Sequence, residues 1–149
     1  MLDEFIRKSL QEDIGDGDHS TLACIPIDAT GKAKLLVKEP GILAGVEVAK
    51  RIYELFDPTL QVQFNKRDGD HIQKGDIVFE VSGSSRSILS SERLVLNCMQ
   101  RMSGIATQTA SILSIIQGCS TKILDTRKTT PGMRFLEKWA VKIGEIGKH

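Results

Sequence analysis

Residues Thr121 to Gly132, TKILDTRKTTPG, constrain this chain most, because a short apolar stretch runs straight into a dense polar loop and then into a helical pattern. Thr121, Lys122, Ile123 and Leu124 fit a buried strand. Over Met133 to Ile143 the residues Phe135, Leu136, Trp139, Ala140 and Ile143 keep the spacing of one helical face. A strand-loop-helix unit would place Asp125, Thr126, Arg127, Lys128, Thr129 and Thr130 at the C-terminal end of a strand, where parallel α/β folds bind ligands. The chemistry of that loop suits an anion. A guanidinium fork matches a carboxylate or phosphate, the ammonium adds a compact charge, and hydroxyls and helix N-terminal amides can bond the same oxygens. A solvated loop with a capping Thr and Pro131 in the first helical turn accounts for the same residues.

A length of 149 residues allows one domain or two small ones, able to bury about two-thirds of the unfolded surface. Twenty Lys and Arg against 19 Asp and Glu leave a net charge of +1. No global field therefore favours nucleic acid or a membrane surface, and any basic function is local. Cys24, Cys98 and Cys119 lack CxxC spacing and read as reduced, partly buried thiols of a cytoplasmic protein. The N-terminus MLDEFIRKSLQEDIG carries no apolar h-region, and no run approaches the roughly 18 apolar residues of a transmembrane helix.

Leu2, Phe5, Ile6 and Leu10 predict a helix over Leu2 to Asp13 with Asp3 and Glu4 at its positive end. The acidic loop that follows, Asp13 to Ser20, superficially resembles a calcium site. Starting an EF-hand loop at Asp16 puts Thr21 where glycine is needed and Ile27 where the bidentate Glu is needed, so the segment reads as turns with His19 a structural hydrogen-bonder. Ala33, Leu35 and Val37 predict a strand over Thr30 to Glu39, and Val46 to Phe56 has helical spacing. Leu60, Val62 and Phe64, then Ile77, Phe79 and Val81, predict two further strands separated by tight turns. The expectation is an α+β sandwich to about residue 83.

Beyond it, Ser90 or Ser91 can cap a long helix carrying Leu94, Val95, Cys98, Met99, Met102, Ile105 and Ala106, with the Met pair as core filling. Ser103-Gly104 either splits this helix or permits close packing. Arg93 lies beside Glu92, and a surface ion pair and a ligand-facing guanidinium both remain open for it. GxGxxG, GxxxxGK[ST], HExxH and GxSxG are absent, which removes the usual support for hydride transfer, P-loop hydrolysis, zinc proteolysis and serine hydrolysis.

SERLVLNCMQRMSGIAT (Ser91 to Thr107), followed by ILDTRKTTPGMRFLEKWAV (Ile123 to Val141), resembles quinolinate phosphoribosyltransferase. EDIGDGDHST and KEPGILAGVEVAKRIYELFD are similar to the same family. The resemblance implies an N-terminal α+β sandwich domain, residues 1–112, followed over residues 113–149 by the start of a C-terminal α/β barrel, its first βα unit only. It implies a homodimer or higher homo-oligomer whose site combines the barrel of one subunit with the N-terminal domain of another. Quinolinate and 5-phosphoribosyl 1-diphosphate, with Mg²⁺, would give nicotinate mononucleotide, diphosphate and carbon dioxide in de novo NAD biosynthesis. Carried over by motif, Arg93 would reach the partner's quinolinate site. Thr126, Arg127 and Lys128 would bind the carboxylates and neighbouring phosphate oxygens, and His149 falls in register with the histidine of the family's glycine-rich stretch. Where the family has three glycines, this chain reads Gly144-Glu145-Ile146-Gly147.

A complete eight-stranded barrel takes about 250 residues, so the expectation is a fragment, inactive alone. Its strand Thr121 to Leu124 would lack a neighbour, and Leu136, Trp139, Ala140 and Ile143 would lack a covering layer. Two other classes fit parts of the pattern. One is a related phosphoribosyltransferase for another substrate. The other is a biotinyl- or lipoyl-like carrier module, although the turn Arg67 to Asp70 offers no central Lys for modification.

Overall fold

The computed structural model describes residues 1–147. Helix α1 (Leu2–Ile14) and a short α2 (His19–Cys24) precede β1 (Thr30–Leu36) and β2 (Gly41–Ile42). Then come α3 (Val46–Phe56), β3 (Gln61–Phe64), β4 (His71–Ile72), β5 (Ile77–Ser84), the long α4 (Ser85–Ile115) and α5 (Arg134–Ile146). β1, β5 and β3 form an antiparallel sheet with β5 in the centre, and β2 pairs with β4.

Alternation sets the inner face of the sheet. Phe79 on β5 lies between Leu35 and Phe64, and Val81 between Ala33 and Val62. Tyr53 of α3 meets the ring of Phe79 edge-on at 5.7 Å, and Phe64 flanks it at 5.3 Å. The core continues through Ile6, Ile52, Val95 and the predicted Met99 and Met102. Arg51 of α3 holds Asp3 of α1 in a bidentate pair, with nitrogen-to-oxygen distances of 2.8 and 2.6 Å.

The acidic segment forms α2 as well as turns. Asp18 caps it by accepting from the amide and hydroxyl of Thr21, and His19 bonds Asp16 at 3.1 Å. The long helix begins at Ser85, capped by Ser84. Ser91, read as a cap candidate, is fully buried and donates to the carbonyl of Ser87 one turn earlier.

Ser103-Gly104 does not split α4. The Ser103 hydroxyl accepts from the Ala44 amide and donates to its carbonyl, while the Thr107 hydroxyl accepts from the Ile42 amide at 2.9 Å. Two hydroxyls one helical turn apart thus take the place of a strand beside residues 42–44. Gly41 permits this approach, since a Cβ there would lie 2.5 Å from Thr107 Oγ1. The turn between β3 and β4 faces inward at Asp68, whose carboxylate accepts from the amides of Val46 and Glu47 at the start of α3.

Two expectations about the C-terminal portion need correction. Thr121 to Leu124 is irregular rather than a strand, and Leu124 is 84% exposed. Apolar residues form a strand only where a neighbour takes up the backbone hydrogen bonds, and no described strand lies beside them. The helix after the loop does form, and its apolar face is covered. Leu136 and Ala140 are fully buried, Ile143 is buried, and Phe135 packs edge-on against Phe5 at 5.5 Å. The cover is α4 and α1, not a further barrel layer.

Candidate anion-binding site

Without a strand behind it, the loop Asp125 to Thr130 is held by side chains. The Lys128 amide donates to Thr126 Oγ1 at 3.1 Å, and the Thr129 amide donates to the Arg127 carbonyl at 2.9 Å, folding the loop tightly on itself. From α5, Lys138 pairs with Asp125 at 2.7 Å, and Arg134 donates to Thr129 Oγ1 at 3.1 Å and to the Arg127 carbonyl at 3.5 Å. Glu137 accepts from the Thr130 amide at 3.3 and 3.4 Å.

From α4, Arg101 completes this arrangement. Its Nε donates to Glu137 Oε1 at 2.8 Å and its Nη2 to the same oxygen at 2.5 Å, with a further bond to the Thr130 hydroxyl. The Glu137 side chain is only 11% exposed. Burial opposes its ionisation, yet the hydrogen bonds from Arg101 and Thr130 outweigh burial and hold the carboxyl below the usual glutamate range.

Arg127 and Lys128 are exposed, and among the described residues neither side chain makes an ion pair or hydrogen bond. Two adjacent cations therefore project from a loop tied to its surroundings at Asp125, Thr129 and Thr130. Such an arrangement is suited to taking a dianion at little ordering cost.

Arg93 is 67% exposed and pairs through Nη1 with Asp13 of α1, which raises the guanidinium pKa further. It lines a groove of about 740 Å³ between α1, α4 and the segment before α5, together with Lys8, Asn97 and Thr130 to Gly132. The structure thus brings Arg93 to the far end of the loop, while Thr126, Arg127 and Lys128 lie outside that groove. Cys98, also on its wall, is buried, and burial pushes its thiol up to about 11. His149 lies outside the described residues.

Arg101, Glu137, Arg134 and Lys138 were not singled out by sequence. Part of the signal was present: Arg93, Asn97 and Arg101 recur every four residues along α4, and Arg134, Glu137 and Lys138 share a face of α5. Gly144 lies buried in α5 where that helix crosses α4. Among the described residues no group of three His, Cys, Asp or Glu side chains is placed to hold a metal ion, and no helix is long and apolar enough to cross a membrane.

Residues 18–103 match the family model of the quinolinate phosphoribosyl transferase N-terminal domain, and residues 105–149 match that of its C-terminal domain. The chain belongs to the quinolinate phosphoribosyl transferase family. The two family matches meet within α4, so a single helix carries the end of one and the start of the other. A chloroplastic carboxylating nicotinate-nucleotide pyrophosphorylase from Oryza sativa subsp. japonica is 45% identical over 145 residues, covering 97% of this chain and 38% of the relative. A probable nicotinate-nucleotide pyrophosphorylase from Bacillus subtilis (strain 168) is 40% identical, covering 97% and 50%. Among solved structures, NadC from Streptococcus pyogenes superposes with a TM-score of 0.91 at 41% identity, covering 96% of this chain and 51% of that one. The α+β architecture is therefore the family's own, and the chain spans about half the length of the relatives it matches, or less.

Proposed function

We propose that this chain serves the carboxylating nicotinate-nucleotide pyrophosphorylase reaction. Quinolinate and 5-phosphoribosyl 1-diphosphate give nicotinate mononucleotide, diphosphate and carbon dioxide, a step of de novo NAD biosynthesis. The observation that carries this reading is the pair of adjacent, exposed cations, Arg127 and Lys128, on a loop braced at both ends in a chain of this family. Arg127 takes one quinolinate carboxylate with its fork and Lys128 neutralises the other. Thr126 Oγ1 already accepts from the Lys128 amide, so its hydroxyl proton is available to a carboxylate or phosphate oxygen.

Arg93 acts across a homodimer. Its ion pair with Asp13 uses Nη1, and its exposure leaves the rest of the fork accessible to a site on the partner subunit. His149 is assigned a substrate-binding role on its register with the family's motif alone. Magnesium is assigned to the diphosphate of the co-substrate, whose phosphate oxygens suit that hard cation. Cys24, Cys98 and Cys119 are all free, which supports a reducing compartment such as the cytoplasm.

The test is a chimera of residues 1–149 with the rest of the C-terminal domain of the Bacillus subtilis relative, which should form nicotinate mononucleotide from quinolinate. In it, Arg127→Ala should weaken quinolinate binding by about 2 to 3 kcal/mol, the effect of leaving a carboxylate without its bidentate partner. An unchanged Kd by calorimetry removes Arg127 from the site. Mixing Arg93→Ala with Arg127→Ala subunits should restore some turnover, because one hybrid site is intact; mixtures no better than the parents speak against a shared site.

A further inference from the structure

Among the described residues, the loop that carries Arg127 and Lys128 has no sheet beneath it, and the bonds bracing it from outside come from α5 and α4. Lys138 grips Asp125 at its start, Arg134 grips Thr129 and the Arg127 carbonyl in its middle, and Glu137 grips the Thr130 amide at its end. These three α5 residues stand at i, i+3 and i+4, and Glu137 among them is buried beside Leu136 and Ala140. We propose that Glu137 is the positioning residue of the anion loop: by holding the Thr130 amide and Arg101 together, it fixes where Arg127 and Lys128 meet the substrate.

The proposal rests on the functional reading above and adds a residue that need not touch quinolinate. Glu137 performs two tasks at once. It ties the loop to α5, and it occupies the guanidinium of Arg101, whose Nη2 also reaches the Thr130 hydroxyl. Without that carboxylate, Arg101 loses its ion pair beside the loop and the Thr130 amide loses its acceptor. Sites that grip a ligand bidentately tolerate displacements of well under an ångström, so loosening the loop costs affinity although the gripping side chains remain.

The deciding measurement is amide exchange by NMR in the 149-residue chain, read at Thr126 to Thr130, alongside titration with quinolinate. Glu137→Gln and Arg101→Met should speed exchange of the Thr130 amide and weaken quinolinate binding, each roughly tenfold, with α5 amides still protected. Asp125→Lys and Lys138→Asp should each speed exchange of the Lys128 and Thr129 amides, and the double exchange should restore their protection, a rescue that loss of packing would not give. If Thr130 exchanges in Glu137→Gln as in the wild type, the positioning role is wrong, whatever quinolinate does. If Thr130 loosens but the wild type and Arg127→Ala bind quinolinate equally, the anion-site reading fails and the brace stands as structure only. Should Glu137→Gln unfold α5, Arg101→Met and the exchanged pair decide the matter by the same readouts.

Discussion

Gly144 of α5 crosses α4 directly over the carbonyl of Ala106: a Cβ at residue 144 would lie 2.5 Å from that oxygen and 2.8 Å from the Cβ of Thr109. Backbone meets backbone there, so neither helix can yield without the other moving. Since α5 supplies the side chains that brace the anion loop, this crossing sets how the loop lies against the long helix.

Gly144→Ala should therefore destabilise the protein. The added methyl would raise helix propensity by up to about 1 kcal/mol, but overpacking against a fixed carbonyl costs about 1 to 3 kcal/mol and should dominate. Denaturant unfolding of the chain checks the sign. A more stable variant would mean that the two helices do not cross this closely.

The parts legible in the sequence are those where burial imposes a period. Val46 to Phe56 forms a helix with the predicted bounds, and Val62, Phe64, Phe79 and Val81 face inward as their alternation requires. The parts that were not legible depend on partners far along the chain. Nothing near Ile42 announces that Thr107 will satisfy its amide, and nothing near Thr130 announces Arg101. Apolar composition at Thr121 to Leu124 suggested a strand, but composition cannot supply the neighbouring backbone a strand needs. In the candidate site, Arg127 and Lys128 could be found because a dense polar loop stands out. Arg101 and Glu137 could not be linked, because 36 residues separate them and each looks like an ordinary charged position on an amphipathic helix.

Glu137 also sets an acid response. Its carboxyl sits below the ordinary value of 4.5 because the bonds from Arg101 and Thr130 outweigh burial. Folding thus favours the ionised form. Its contribution is complete above the unfolded value and is lost as the pH falls through the lower folded value. Asp68 works in the opposite sense: burial raises its carboxyl above 3.8, so protonation relieves the folded state. Glu137→Gln should cost about 1 to 3 kcal/mol near neutral pH, and the difference from wild type should shrink below 4.5. A difference that stays constant through the acid range would show that Glu137 contributes shape and not charge.

The segment between the last two helices should separate sharply from both in hydrogen exchange. From Ser120 to Arg127 no described amide has a hydrogen-bond acceptor, and all but Ile123 are exposed. α5, by contrast, is anchored by Leu136, Ala140 and Gly144 against α4 and by Phe135 against Phe5. Peptides covering Ser120 to Arg127 should exchange almost as fast as an unstructured chain, while those covering Leu136 to Ile143 should be protected to a degree approaching the sheet around Phe79 and Val81. Thr129 and Thr130, tied to Arg127, Arg134 and Glu137, should fall between. If α5 exchanges as quickly as the segment before it, its packing on α4 is not maintained in solution, and the brace on the anion loop goes with it.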